Sequence, residues 1–143
     1  MHHGHRLRRG RHSLKGAYYL ITIATHRRQP LFSNFHNACC ASRHFTHPRV
    51  KVLAKTLSFV VMPDHVHWLM QLDSQLSEAV RRYKSHVSVS MGESAWQRGF
   101  HDRMIRDEES LVDVARYIVA NPLRVQLVDD VNDYSFWDAV WLS

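Results

Sequence analysis

The chain has 143 residues, 45% of them hydrophobic and 10% aromatic, enough to bury a core and to exclude a disordered polypeptide. Nineteen Lys and Arg against 13 Asp and Glu leave a formal charge of +6 and a pI near 9.7, which favours a polyanionic partner, most simply nucleic acid. No apolar run reaches membrane-spanning length, and MHHGHRLRRGRH carries no apolar core behind its charges, so neither an anchor nor a signal peptide is expected and the cytoplasm is the expected compartment.

Residues 1–15 form a basic arm, with Arg6, Arg8, Arg9, Arg11 and Lys15 among four histidines. They read either as a solvated tail or as a phosphate-contacting extension. Residues 16–143 read as one domain. AYYLITIAT (17–25) is β-branched and aromatic and predicts a strand. Asn34 to His47 predicts a first helix, interrupted by Pro48. Within it Cys39 and Cys40 are adjacent, which suits neither a loop-closing disulfide nor a zinc knuckle. His44 and His47 follow at helical spacing and would complete a metal cluster only if both cysteines faced one ion, so helix packing is the preferred reading.

KTLSFVVM and HVHWLMQL predict an antiparallel hairpin around Pro63-Asp64. From Leu76 the period changes: Leu76, Ala79, Val80, Tyr83 and Val87 make an apolar helical stripe, with Arg81, Arg82 and Lys84 on a basic outer side. After a break at Gly92, AWQRGFHDRMI predicts a further strand. Asp107 is the expected N-cap of a last helix, with Glu108 and Glu109 in its first turn. Leu111, Val114, Ala115 and Ile118 form that helix's buried stripe, and Pro122 stops it. The tail DYSFWDAVWLS, with Tyr134, Phe136, Trp137 and Trp141, is expected to pack back on the body. Strands paired mainly antiparallel, with helices to one side, predict an α+β sandwich of ferredoxin-like type.

Chemistry concentrates in FVVMPDHVHWLM (59–70). A strand turns successive side chains to opposite faces, so Val66, Trp68, Met70 and Leu72 share one face while His65, His67, Leu69 and Gln71 share the other. Two imidazoles at i and i+2 come within reach of one ion, but two ligands hold a metal poorly and a third is needed. Without a third, they are simply hydrogen-bonded histidines on a half-buried strand. On the last helix, Tyr117 and Asn121 lie four residues apart at the edge of the apolar stripe, a pair that can point a phenol and an amide oxygen into the same cleft, although Tyr117 taken alone reads as a packing residue.

His65-Val66-His67 resembles the His-hydrophobic-His (HUH) signature of single-strand DNA nucleases, with Tyr117 following in single-tyrosine transposase order. LRRGRHSL, RRQPLF, VMPDHVHWL, WQRGFHDRMIRDEESL, VARYIVANPLRVQLV and FWDAVW together resemble the REP-associated tyrosine transposases over nearly the whole chain. The resemblance implies a metal-dependent endonuclease and strand transferase acting on single-stranded DNA at hairpin-forming REP sequences. It implies His65 and His67 as ligands of a divalent ion, Tyr117 as nucleophile, and Asn121 as a further ligand, where related transposases often carry glutamine. The mixed donor set favours Mg or Mn.

A phosphodiester needs its non-bridging oxygens polarised, and a phenol protonated at neutral pH needs a cation or base nearby to attack. The implied product is a covalent 5′-phosphotyrosine with a released 3′-hydroxyl, and no nucleotide cofactor or small-molecule substrate. Arg81, Arg82, Lys84, Arg103 and Arg106 are candidates for a phosphate track, and Trp96 or Phe100 for stacking a base. Monomer and homodimer are both compatible with the resemblance. Two rivals stand beside it. HFT at His44 and HVS at His86 imitate the paired His-x-Thr/Ser motifs of metal-free cyclic phosphodiesterases. A transposase-derived domain that binds structured DNA without cutting it is the other.

Overall fold

A computed structural model of the protein describes residues 13–106, 108–121 and 136–139, with residues 108–109 and 137–139 described through their backbone. Five strands, β1 (Tyr18–Ala24), β2 (Ala54–Met62), β3 (His65–Leu72), β4 (His101–Ile105) and β5 (Trp137–Ala139), form one antiparallel sheet in the order β4-β1-β3-β2-β5. Among the described residues four helices accompany them: α1 (Phe35–Arg43), the short α2 (Pro48–Lys51), α3 (Leu76–Met91) and α4 (Glu108–Val119). The first four strands with their crossovers reproduce the ferredoxin-like order, as expected, and β5 adds an edge strand beyond β2. The candidate cap Asp107, the stop at Pro122, and Tyr134 and Trp141 lie outside the described residues.

The sheet divides the interior into two layers. On one face Tyr19, Ile21, Ile23, Phe59, Val61, Val66, Trp68 and Met70 pack with Ala79, Val80, Tyr83 and Val87 of α3 and with Phe45. On the other, Val60, Met62, Leu69 and Ile105 pack with Leu111, Ala115 and Ile118 of α4. Strand β2 serves both layers, and its register shifts between Thr56 and Ser58, so Leu57 is the extra residue of a bulge and joins the α4 layer. Met62 pairs with His65, so the predicted Pro63-Asp64 connection is a two-residue hairpin turn.

Capping follows the local chemistry. Asn34 accepts from Asn37 N and starts α1, and Gly92 ends α3 at φ 82, a left-handed position that glycine takes without a Cβ clash. Ser13 Oγ accepts from Leu76 N at 3.1 Å and supplies the cap that Gln75 does not. The expected helix over Asn34–His47 is split: α1 gives way to a 3-10 turn at His44–Thr46, and Pro48 opens α2. The expected strand from Ala95 shortens to His101–Ile105, because Gly99 is left-handed (φ 79) and Lys84 Nζ takes the carbonyls of Gln97 and Gly99. The described part of the tail, residues 136–139, packs back as expected: β5 pairs with β2, and the Phe136 ring sits 5.7 Å from that of Phe35. Among the described residues no helix is long and apolar enough to cross a membrane.

His44, His47 and His86 form an imidazole stack between the 3-10 turn and α3, with ring centroids 4.1–5.8 Å apart. Both ring nitrogens of His44 are buried, with no hydrogen-bond partner among the described residues. Burial, then the neighbouring His47, Arg43 and His86, push its pKa down to about 4. Folded His44 therefore gives up its proton more readily than an unfolded histidine does. Its contribution to stability is complete above about pH 6.5 and is lost as pH falls toward 4. Allowing for partial exposure, the loss is on the order of 2 kcal/mol. Urea unfolding at pH 7.5 and 4.5 checks this: His44→Leu should lose less between the two pH values than the native chain, and equal losses would contradict it.

Candidate active site

Strand β3 carries the two imidazoles, and the ladder shows which layer they face. His65 opposes Met62 and Ala24, and His67 opposes Val60 and Thr22. Directly opposed residues of an antiparallel pair project to the same side. Met62 and Val60 belong to the α4 layer, so both histidines lie on the sheet face that α4 covers. Each is half-buried, and their rings meet edge to face with centroids 4.8 Å apart.

Both rings are anchored through the same atom. His65 Nδ1 lies 2.8 Å from Asp64 Oδ1, and His67 Nδ1 lies 3.0 Å from Thr22 Oγ1. For His65, whose partner is a carboxylate, Nε2 is thus the nitrogen through which the ring would meet an ion, the arrangement in which an outer partner orients a metal-binding histidine. Asp64 is itself held. Its Oδ2 accepts from Arg28 Nε at 2.9 Å, and its main-chain oxygen accepts from Thr25 N and Thr25 Oγ1. Burial would raise its pKa, but the hydrogen bonds from His65 and Arg28 and their charges outweigh it and keep the carboxyl below its ordinary value. Arg28, which makes this reach, and Arg27 before it both take left-handed backbone (φ 55 and 54), a conformation that costs a non-glycine residue about 1–2 kcal/mol.

Helix α4 buries Leu111, Ala115, Ile118 and Val119. Tyr117 stands off this stripe, 60% exposed, and Asn121 follows one turn later on the same side, half-buried. The phenol is therefore not locked among aliphatic groups. Among the described residues no group of three His, Cys, Asp or Glu is placed to hold a metal. The donor set the structure brings together at this face is the two imidazoles, which fits a divalent ion that keeps open positions for phosphate oxygens and water.

The basic candidates separate. Arg81, Arg82 and Lys84 sit on α3, across the sheet from the imidazoles, and all three make internal bonds: Arg81 and Arg82 to Glu78, Arg82 to Arg49 O, and Lys84 to the 97–99 loop. Arg103 shares a face with Ile105 and so with the histidines, and both it and Arg106 are exposed. Arg6, Arg8, Arg9 and Arg11 lie outside the described residues. Trp96 donates to Lys84 O and packs on the core, and Phe100 is buried, so both aromatics are built into the body. His44 and His86 do come together, but as a stack whose His44 nitrogens are buried, not as two acid-base groups opening on a cleft. The thiol of Cys40 is buried, and Cys39 and Cys40 are both free. Thr22 and Arg28 did not stand out in the sequence, because their roles depend on strand register and on a left-handed turn.

The chain is similar to known proteins in sequence and in fold. A protein of Haemophilus influenzae named "Putative REP-associated tyrosine transposase" is 27% identical over 100 residues, covering 57% of this chain and 57% of that protein. A second H. influenzae protein, uncharacterised, is 26% identical over 94 residues, covering 46% and 52% respectively. The matches thus span little more than half of these curated relatives. A solved REP-associated tyrosine transposase bound to a REP hairpin superposes with a TM-score of 0.72 at 25% identity, covering 89% of this chain and 79% of that one. The family model described as "Transposase IS200 like" matches residues 13–121, from the serine that caps α3 to the asparagine one turn beyond Tyr117, and the chain belongs to that family of transposases.

Proposed function

We propose that the protein is a metal-dependent single-stranded DNA endonuclease and strand transferase of the REP-associated tyrosine transposase type, acting at REP hairpins through a covalent 5′-phosphotyrosine. One observation carries the reading: two imidazoles, each anchored through Nδ1, lie on the sheet face covered by the helix that bears an exposed tyrosine. The solved relative bound to a REP hairpin supports the choice of DNA.

His65 and His67, with Asn121 as a third donor, would hold a Mg or Mn ion. When bound, such an ion polarises the non-bridging oxygens of the scissile phosphate and offsets developing charge. Tyr117 Oη attacks phosphorus, the P–Oη bond forms and the P–O3′ bond breaks. The phenolic proton leaves with the attack, and the departing 3′ oxygen takes up a proton. The phosphotyrosine keeps the phosphoryl group activated, so a 3′-hydroxyl can attack it in reverse and join strands. Arg103 and Arg106, exposed beside this face, are suited to hold flanking phosphates.

The test is cleavage of a labelled REP-type hairpin oligonucleotide with a single-stranded flank, in the presence of Mn. His65→Ala/His67→Ala should lose cleavage on the order of 1000-fold, as expected for lost electrophilic stabilisation, while still binding the hairpin. Native protein that binds the hairpin but never nicks it with Mn or Mg would instead establish a DNA-binding protein without catalysis.

A further inference from the structure

The two imidazoles are held by chemically different partners. Asp64, ion-paired with Arg28, can only accept, so Nδ1 of His65 carries a proton and, in the neutral ring, Nε2 carries the lone pair. Thr22 offers a hydroxyl, which can donate or accept, and its contact with His67 admits either tautomer. If Thr22 donates, Nε2 of His67 carries a proton and cannot ligate. If Thr22 accepts, His67 presents the same lone pair as His65. Thr22 is well placed to decide this. It lies on β1, directly opposite His67 in the central ladder and flanked by the fully buried Ile21 and Ile23. Its β-branched side chain has a restricted χ1, so the hydroxyl is held on a rigid strand.

We propose that Thr22 is a positioning residue that accepts a hydrogen bond from Nδ1–H of His67 and thereby turns the Nε2 lone pair toward the ion-binding position beside His65. The inference rests on the metal-site reading above and deepens it: the ion's two imidazole ligands are set by two separate elements, the hairpin turn through Asp64 and strand β1 through Thr22. A hydroxyl on one ring and a carboxylate on the other orient both without placing a second negative charge beside the site.

The experiment has two readouts on the full chain. In metal-free protein above pH 8, the 15N shifts of the His67 ring should show Nδ1 protonated. Thr22→Val, which keeps the branched shape and removes the hydroxyl, should lose that preference, and Thr22→Ser should retain it. By calorimetry, Mn2+ affinity should fall about 10–100-fold in Thr22→Val, the usual cost of losing an outer-shell partner, and return in Thr22→Ser. A native His67 protonated on Nε2, or Thr22→Val protein with native ring shifts, overturns the assignment. Native protein that shows the Nδ1–H tautomer, loses it in Thr22→Val, yet binds no Mn2+, upholds Thr22 as the orienting residue and overturns the metal reading instead. The tautomer measurement on the native chain needs no variant to fold.

Discussion

Tyr117→Phe is expected to abolish the covalent protein–DNA adduct and to reduce nicking by 1000-fold or more, in line with the order of loss seen when an enzyme nucleophile is removed. The substitution removes one oxygen and leaves the ring. Tyr117 lies outside the buried stripe of Leu111, Ala115 and Ile118 and is 60% exposed, so α4 keeps its packing and stability should change by under about 1 kcal/mol. Hairpin affinity and Mn2+ affinity should both stay near native, because neither is assigned to the phenol. The check is a denaturing gel of protein incubated with end-labelled hairpin oligonucleotide and Mn: a slow-migrating labelled band in the native lane, none in the variant. A band of equal strength in Tyr117→Phe would place the nucleophile elsewhere.

The largest stability effect is expected at Trp68, the residue directly after His67. It projects to the α3 side of β3, is fully buried, and sits 5.3 Å from the Phe45 ring and 5.1 Å from that of Tyr83. Its Nε1 donates to Thr56 Oγ1 at 2.8 Å, and that hydroxyl donates onward to Phe45 O. Truncation to alanine removes the largest fully buried side chain among the described residues, leaves a cavity among aromatic rings and breaks this relay. A cost of about 3–5 kcal/mol follows, a large share of the roughly 5–15 kcal/mol available to a domain. Equilibrium urea unfolding measures it, and a loss under about 1 kcal/mol would show that the aromatic layer closes around the gap. The consequence extends to function: β3 presents Trp68 on one face and the imidazoles on the other, so loosening one layer loosens the strand that sets the other.

These expectations rest on parts of the molecule that were not equally readable beforehand. Period-two alternation alone puts His65 and His67 on one face of β3 and Trp68 on the other, since a strand admits no other parity. The Pro63-Asp64 turn and the apolar stripe of α3 are local in the same sense: turn chemistry and helical period are written in adjacent residues. The ferredoxin-like arrangement was legible because the order of elements and antiparallel pairing admit few topologies.

Partnership was not legible. Thr22 meets His67 only through the β1–β3 register, 45 residues apart, and Arg28 reaches Asp64 only because two arginines adopt left-handed backbone. Arg81, Arg82 and Lys84 read as an open basic track, yet folding turns them to Glu78 and to nearby carbonyls across the sheet from the imidazoles. His44 and His86 read as separate motifs and became one stack. What the amino-acid order determines by itself is the face on which each side chain of a strand or helix stands, because that depends on repeat geometry. Which hydroxyl, carboxylate or carbonyl then meets it is decided by contacts distant in the chain, and those exist only once both layers have closed on the sheet.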